Sequence, residues 1–140
     1  MQWSQDTNAG FSTAPAEQLY LPIDPSESRP DVETEENDPE SLLNFTRALL
    51  KLRREHPALG NAADFQPLHA EKNEYPFVYL RAAGKQRIVV TVNPAAQACT
   101  AKLEDGLEFR SSRPLLTQGA ELRDSSLEMG PVSFGIFAVE

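Results

Sequence analysis

From residue 60 onward, apolar residues recur with a period of two, and this pattern constrains the fold more than any other feature of the sequence. A period of two places successive side chains on opposite faces of a strand. Turn signals such as Ala83-Gly84 and Gly130-Pro131 separate the apolar runs. The pattern predicts a mainly β fold, an antiparallel β-sandwich over 60–140. The runs lie near 64–70, 75–82, 87–93, 98–104, 114–118 and 132–139, and the last has two apolar faces, which favours an interior strand.

One helix is predicted before these strands, from Asp38 to His56. Asp38 is a favourable N-cap and Pro39 suits the first helical position, while His56-Pro57 ends the helix. Its apolar residues follow helical spacing and form a wide stripe. The stripe consists of Leu42, Phe45, Leu49 and Leu52, widened by Leu43 and Leu50.

Residues 1–37 are predicted to form an irregular arm, because four prolines interrupt them. The first 40 residues hold ten acidic residues and one basic residue, whereas the rest of the chain is nearly neutral. The short apolar cluster Leu19–Ile23 needs another surface to lie against. We therefore expect the arm to be disordered when the chain is isolated.

Composition excludes several functions. A net charge of −8 argues against nucleic-acid partners, and no apolar run is long enough to span a membrane. No secretory signal is recognisable, so a cytoplasmic location is expected. The single cysteine, Cys99, cannot form an internal disulfide and fits a small core position.

The sequence offers little catalytic chemistry. His56 and His69 stand at no metal-ligand spacing, and no nucleophile elbow or phosphate-binding glycine loop occurs, so neither a metal nor a cofactor is predicted. The acidic pairs Glu35-Glu36 and Asp38-Glu40 are interpreted as solvated arm and helix cap.

Several segments, read in order, resemble the C-terminal part of glycoside hydrolase family 13, the alpha-amylase superfamily. The likeness is to the alpha-glucosidase, oligo-1,6-glucosidase and trehalose synthase branch. It implies a (β/α)8 barrel followed by a β-sandwich called domain C. Residues 1–37 would follow barrel strand eight, 38–59 would hold the last barrel helix, and 60–140 would be domain C. The segments are Met1-Gln2-Trp3, Asn8-Ala9-Gly10-Phe11-Ser12, Leu21-Pro22-Ile23, Asp38–Phe45 and Leu52–Leu59.

The resemblance assigns no catalytic residue to this chain, because the family's three carboxylates lie on barrel strands four, five and seven. The retaining alpha-glucosidase activity of the family is therefore not expected of the chain alone, which is interpreted as a truncated or split product. Met1, Gln2 and Trp3 match a loop that rims the sugar pocket in the family.

Two kinds of partner are expected. The stripe of Leu42, Phe45, Leu49 and Leu52 is wide enough to face both the sandwich and a missing catalytic barrel, so the isolated chain would bind that barrel or self-associate. A rival hypothesis is a free-standing module that binds alpha-glucan oligosaccharides through Tyr75, Phe77 and Tyr79, which share one strand face.

Overall fold

The computed structural model describes residues 2–103 and 109–140, which form two compact units, Met1–Lys51 and Leu52–Glu140. Met1 lies outside the described residues, as does the end of the apolar run predicted near 98–104. Within the described part of the chain, no helix is long and apolar enough to cross a membrane.

The first unit contains a short helix that the sequence analysis missed, α1 (Val32–Asn37), and two single 3-10 turns, Thr7–Gly10 and Ala16–Gln18. Asp31 is the N-cap of α1, since its Oδ1 accepts the Thr34 amide at 2.9 Å. Glutamates in the first turn of α1 add a favourable charge there. These contacts define the conformation of the segment in the structure, and the disorder expected of the isolated arm stays a prediction.

The long helix α2 (Leu42–Glu55) begins four residues later than Asp38, where the sequence placed its start. Ser41 provides the cap, because its Oγ accepts the Asn44 amide at 3.2 Å. Asp38 instead ends α1, and its Oδ1 accepts the Glu40 amide at 2.9 Å. The predicted end is confirmed, since a 3-10 turn over Pro57–Leu59 follows α2.

The second unit is an antiparallel β fold, as predicted, and every strand pairing in it is antiparallel. Its sheet runs in the order β1-β2-β3-β6-β4, and β5 pairs with β6. The strands are β1 (Asp64–His69), β2 (Phe77–Ala83), β3 (Gln86–Asn93), β4 (Cys99–Lys102), β5 (Ser112–Arg123) and β6 (Ser126–Val139).

The two longest strands bend and so divide the sheet into two layers. The C-terminal half of β6 pairs with β3, whereas its N-terminal half pairs with β4. The bend falls near Val132, whose φ is 44°, and β5 changes register at Gly119, whose φ is 66°. β6 is an interior strand, as predicted.

The core of the sandwich lies between these layers. β1, β2, β3 and the end of β6 contribute one side, and β4, β5 and the start of β6 contribute most of the other. The buried residues are Leu68, Val78, Leu80, Val89, Leu103, Phe109, Leu122, Leu127, Met129, Phe137 and Val139.

Candidate functional site

A left-handed turn near the N-terminus contacts Trp3, one of the residues that the family resemblance places at the rim of a sugar pocket. Asn8, Ala9 and Gly10 have φ of 55°, 54° and 70°. Asparagine and glycine adopt this conformation more readily than other residues. The Asn8 side-chain amide holds the loop by donating to the carbonyls of Ser12 at 2.9 Å and Ala14 at 2.7 Å.

The turn also fixes Trp3 and its neighbours. The Trp3 amide donates to the Ala9 carbonyl at 2.8 Å. Gly10 packs so closely that a Cβ built on it would lie 2.6 Å from the Ser4 Oγ. Glycine is therefore required at residue 10 for both its φ and its lack of a side chain.

The N-terminus of α1 also forms hydrogen bonds with the segment that contains Gln2 and Trp3. The amides of Val32 and Glu33 donate to the carbonyls of Gln2 and Trp3 at 3.1 and 3.0 Å. The buried Asp31 carboxylate accepts from Gln5 Nε2 at 2.6 Å, in addition to its bonds with Thr34. The Thr34 amide is the main reason that the pKa of Asp31 is lowered.

A cavity of about 330 Å³ opens beside Gln2 within this unit. The C-terminal part of the apolar cluster Leu19–Ile23 lines this cavity together with Gln2 and Phe11. The surface that the sequence analysis expected this cluster to lie against is therefore within the first unit. Tyr20 is almost fully solvent-exposed at 97%, and Phe11 is 47% exposed. The lining residues are Gln2, Phe11, Tyr20, Leu21, Pro22, Ile23 and Asp24.

Two buried polar atoms of this unit have no hydrogen-bond partner among the described residues: Gln2 Oε1 and Arg29 Nε. Gln2 lines the cavity. Arg29 is not among the lining residues, and its Nη1 donates to the Asp24 carbonyl at 3.5 Å. Buried polar atoms are normally paired, so these two atoms are exceptions within the first unit. Among the residues that line the cavity, the sequence analysis named Gln2 as a site residue, quoted Phe11 and the cluster Leu19–Ile23 without a site role, and missed Asp24.

The predicted interface residues lie on α2 as expected from their spacing. Leu42 is 72% exposed, Leu50 is 49% exposed, and no residue of the helix is fully buried. Phe45, Leu49 and Leu52 are half-buried. An amphipathic helix normally buries its apolar stripe, so α2 retains apolar surface.

Of the three aromatic residues predicted to share a strand face, Phe77 and Tyr79 lie on β2, whereas Tyr75 precedes that strand. Phe65 of β1 lies beside Tyr79 instead. The Phe65 and Tyr79 ring centroids are 5.0 Å apart, and those of Phe77 and Tyr79 are 5.4 Å apart. Phe65 and Phe77 are exposed at 53% and 37%. We call Phe65, Phe77 and Tyr79 the aromatic surface.

The aromatic surface borders a groove of about 450 Å³ that Arg53 and Arg81 also line. Arg81 is held in place, because its guanidinium donates to the Gly60 carbonyl at 2.5 Å. Burial raises the pKa of Tyr79.

The acidic pairs have structural partners. Glu35 accepts the Leu43 amide at 3.0 Å, and Glu36 forms an ion pair with Arg47 at 2.6 Å. Together with the turn formed by Asp38, these contacts agree with the interpretation of Glu35 and Glu36 as arm and of Asp38 as part of a helix terminus.

Both histidines have hydrogen-bond partners within the second unit. His56 bonds to the Gln86 side chain at 2.9 Å, and His69 Nδ1 lies 2.7 Å from the Pro76 carbonyl oxygen. Over residues 2–103 and 109–140, no group of three or more His, Cys, Asp and Glu side chains could hold a metal. Cys99 is half-buried, and burial raises the pKa of its thiol.

Comparison with known proteins supports the resemblance inferred from the motifs. Residues 1–62 match the family model of the alpha-amylase catalytic domain. Trehalose synthase of Thermus thermophilus is 34% identical over an alignment that covers 100% of this chain and 15% of that protein. The trehalose synthase/amylase of Mycobacterium tuberculosis H37Rv is 49% identical over 74 residues, which are 49% of this chain and 12% of that protein.

The fold agrees with these matches. The crystal structure of trehalulose synthase MutB from Pseudomonas mesoacidophila MX-45 superposes with a TM-score of 0.81 at 27% identity, covering 99% of this chain and 24% of that one. The chain therefore belongs with the alpha-amylase family, glycoside hydrolase family 13, as its motifs predict. Within that family it resembles a portion of the trehalose synthase and oligo-1,6-glucosidase enzymes. The chain spans only 15% of the length of the Thermus thermophilus trehalose synthase and 24% of the length of trehalulose synthase MutB.

Proposed function

We propose that this chain is a non-catalytic, structural part of an alpha-glucoside-active glycoside hydrolase or transglycosylase, and that α2 docks onto the catalytic barrel of such an enzyme. The observation that carries the proposal is the exposure of the α2 stripe, led by Leu42 at 72%. The relatives are named for action on trehalose or on 1,6-linked glucosides. This chain aligns with only 15% to 20% of their length, which leaves room in them for a separate catalytic body.

The energetic argument rests on Leu42 and Leu50. Complete burial of one leucine side chain stabilises an assembly by about 1.5 to 3 kcal/mol. Both residues are at least 49% exposed, so burying each of them against a barrel would contribute a large part of that free energy to docking. Where no barrel is present, the same surface favours self-association.

The absence of catalytic residues is part of the proposal. Glu35, Glu36 and Asp38 are engaged in hydrogen bonds or ion pairs that hold α1 and α2. A glycosidase needs two carboxylates placed on either side of a sugar bond, and the bonds to these three residues serve the helix termini instead.

The test combines activity with assembly. The pure chain should not hydrolyse a chromogenic alpha-glucoside, and hydrolysis by it would refute the proposal. Mixing the chain with the unaligned catalytic region of the Thermus thermophilus trehalose synthase should increase turnover over that region alone. Leu42→Glu should abolish this increase, because it places a charge in the apolar contact.

Ala48→Glu is the matched control, since it adds the same charge at another exposed position of α2. Glutamate is favourable near a helix N-terminus, so Leu42→Glu should leave the helix content unchanged in circular dichroism. Light scattering of the chain alone provides the second readout. A monodisperse monomer that neither variant alters, together with no gain in turnover on mixing, would contradict the docking proposal.

A second candidate function, a carbohydrate-binding module, is favoured by one observation: the aromatic surface is exposed and has arginines beside it. Aromatic faces stack on sugar rings, and Arg53 and Arg81 could donate to hydroxyl groups. Saturable maltooligosaccharide binding that Tyr79→Ala abolishes would favour this function. Tyr20→Ala, an aromatic truncation in the other unit, is the control.

A further inference from the structure

We propose that the groove between Arg53 and Arg81 binds a phosphate group that is attached to a sugar ring. The choice of a sugar rests on the alpha-glucoside function proposed above, whereas the phosphate is argued from the residues of the groove alone. The groove has a volume of about 450 Å³, which lies within the range of small-molecule sites. We call it the arginine groove, and its lining also includes Asn61, Phe65 and Tyr79.

The arginine groove is positively charged although the chain as a whole is acidic. The chain carries a net charge of −8. Two arginines line the groove, and among the residues that the structure describes no aspartate or glutamate does. A cleft lined by charge of one sign concentrates ligands of the opposite sign. The lining therefore favours an anion.

Both guanidinium groups are held in place by neutral acceptors. Arg81 donates from Nε to the Ala58 carbonyl at 3.3 Å and from Nη2 to the Gly60 carbonyl at 2.5 Å. Arg53 Nη2 donates to Asn61 Oδ1. These bonds anchor both arginines to one short loop, since Gly60 and Asn61 are consecutive. They leave the positive charges uncompensated, and each guanidinium has five N–H donors, so further donors remain for a ligand.

A phosphate group matches these donors better than a neutral hydroxyl group does. The planar fork of arginine fits phosphate oxygens, and hydrogen bonds between charged groups are roughly twice as strong as neutral ones. A phosphate ester carries a charge of about −1.5 to −2 at pH 7, which is enough to compensate both arginines. Arg81 is half-buried, so water screens its charge less than that of an exposed side chain.

The aromatic residues of the groove provide a surface for the body of the ligand. The ring centroids of Phe65 and Tyr79 are 5.0 Å apart, and Phe65 is 53% exposed. Aromatic faces stack on the flat face of a sugar ring. The arginine groove therefore combines a site for an anion with an apolar platform beside it.

The experiment measures binding to the full chain by calorimetry. The three ligands are α-D-glucose 1-phosphate, inorganic phosphate and methyl α-D-glucopyranoside. Glucose 1-phosphate should bind most tightly, because it alone contacts both the arginines and the aromatic rings. Inorganic phosphate should bind more weakly than the sugar phosphate, and the neutral glucoside should bind more weakly than the sugar phosphate as well.

Arg53→Gln tests the contact with the anion. It should weaken the affinity for both phosphate-bearing ligands about 10- to 100-fold, because a charge-assisted hydrogen bond is lost. Arg54→Gln is the matched control, since Arg54 lies in the same last turn of α2 but does not line the groove. Both variants remove one positive charge from the helix terminus, so their melting temperatures should agree, whereas only Arg53→Gln should lower affinity.

Phe65→Ala separates the sugar from the phosphate. It should weaken the affinity for glucose 1-phosphate about 2- to 10-fold through loss of stacking, and it should leave the affinity for inorganic phosphate unchanged. Tyr20→Ala, a truncation of an exposed aromatic residue in the first unit, should change neither affinity.

Three outcomes would overturn the proposal. These are binding of the neutral glucoside as tight as that of glucose 1-phosphate, an equal loss of affinity in Arg53→Gln and Arg54→Gln, and an inorganic phosphate affinity that equals that of the sugar phosphate. None of them decides whether α2 docks onto a barrel, because that is measured by Leu42→Glu and turnover. The two proposals can therefore fail separately.

Discussion

Replacing Gly10 with alanine should open the first unit, because the backbone and the packing both require glycine there. An L-residue in the left-handed conformation costs roughly 1–2 kcal/mol. The new Cβ would also lie 2.6 Å from Ser4 Oγ, so Ser4 must move. Ser4 Oγ bonds to the Asp6 amide at 3.2 Å, and giving up that bond costs about 0.5–1.5 kcal/mol more.

The assay is cleavage after the glutamates of residues 1–37 by a glutamate-specific protease. When opening is fast relative to cleavage, the rate follows the open population. The two costs total about 1.5–3.5 kcal/mol, which corresponds to cleavage roughly 10- to 400-fold faster.

Two controls separate the causes. Ser4→Ala removes the colliding oxygen, so adding Gly10→Ala to that variant should cost only the backbone strain. Gly84→Ala tests strain alone in the other unit, because its φ is +58° and a Cβ there meets nothing within 4 Å. The reasoning is refuted if Gly10→Ala is cleaved no faster than the unmodified chain, or if Ser4→Ala provides no relief.

Three further predictions concern charge, core and thiol. The Thr34 amide lowers the pKa of Asp31 below its ordinary 3.8, so the carboxylate stabilises the first unit above that pH and the effect is lost as the pH falls through the folded-state value. The rate at which pepsin cleaves residues 1–37 should rise below about pH 4. Asp31→Asn keeps a capping side chain but has no titrating carboxylate, so it should reduce this dependence of the cleavage rate on pH. Leu127→Ala should cost about 2–5 kcal/mol in urea unfolding, against about 0.5 kcal/mol or less for the exposed Leu50→Ala. The Cys99 thiol should be alkylated more slowly than a free cysteine at pH 8, because burial raises its pKa, and a rate equal to that of the free amino acid would contradict this.

The sequence predicted the existence and type of the strands better than their lengths. All six apolar runs correspond to strands, but β5 and β6 extend beyond the runs predicted near 114–118 and 132–139. The additional parts pair with each other from Ala120 with Met129 to Arg123 with Ser126. Gly130-Pro131 was predicted to be a turn between strands, whereas in the structure it lies within β6, and Gly119 lies within β5 at a change of register.

The observed helix starts differ from the predicted one because several possible N-cap residues lie close together in the sequence. Asp38-Pro39 satisfies the usual rules for a helix start, and Asp31 satisfies them as well. The structure uses Asp31 for α1 and Ser41 for α2, and Asn44 connects the two by donating to the Asp38 carbonyl at 2.8 Å. Sequence spacing alone could not decide between competing caps that lie so close together.

The cavity was beyond prediction because its parts are far apart in sequence. Gln2 and Trp3 were identified through resemblance, and the Asn8-Ala9-Gly10 motif indicated a special turn. The contribution of Tyr20 and Asp24 depends on how the chain returns to Gln2, and no periodic pattern encodes that return. The one available signal was the apolar cluster Leu19–Ile23, which needed a surface to lie against.

Exposed apolar surface and unpaired buried polar atoms are both destabilising for a chain in isolation, yet they call for different partners. The stripe on α2 is apolar, so its burial favours a protein surface such as a barrel. Gln2 Oε1 and Arg29 Nε need hydrogen bonds, which an apolar surface cannot supply. Coverage of the α2 stripe alone therefore leaves both polar atoms unpaired, and a partner that removes both costs must combine apolar surface with hydrogen-bonding groups.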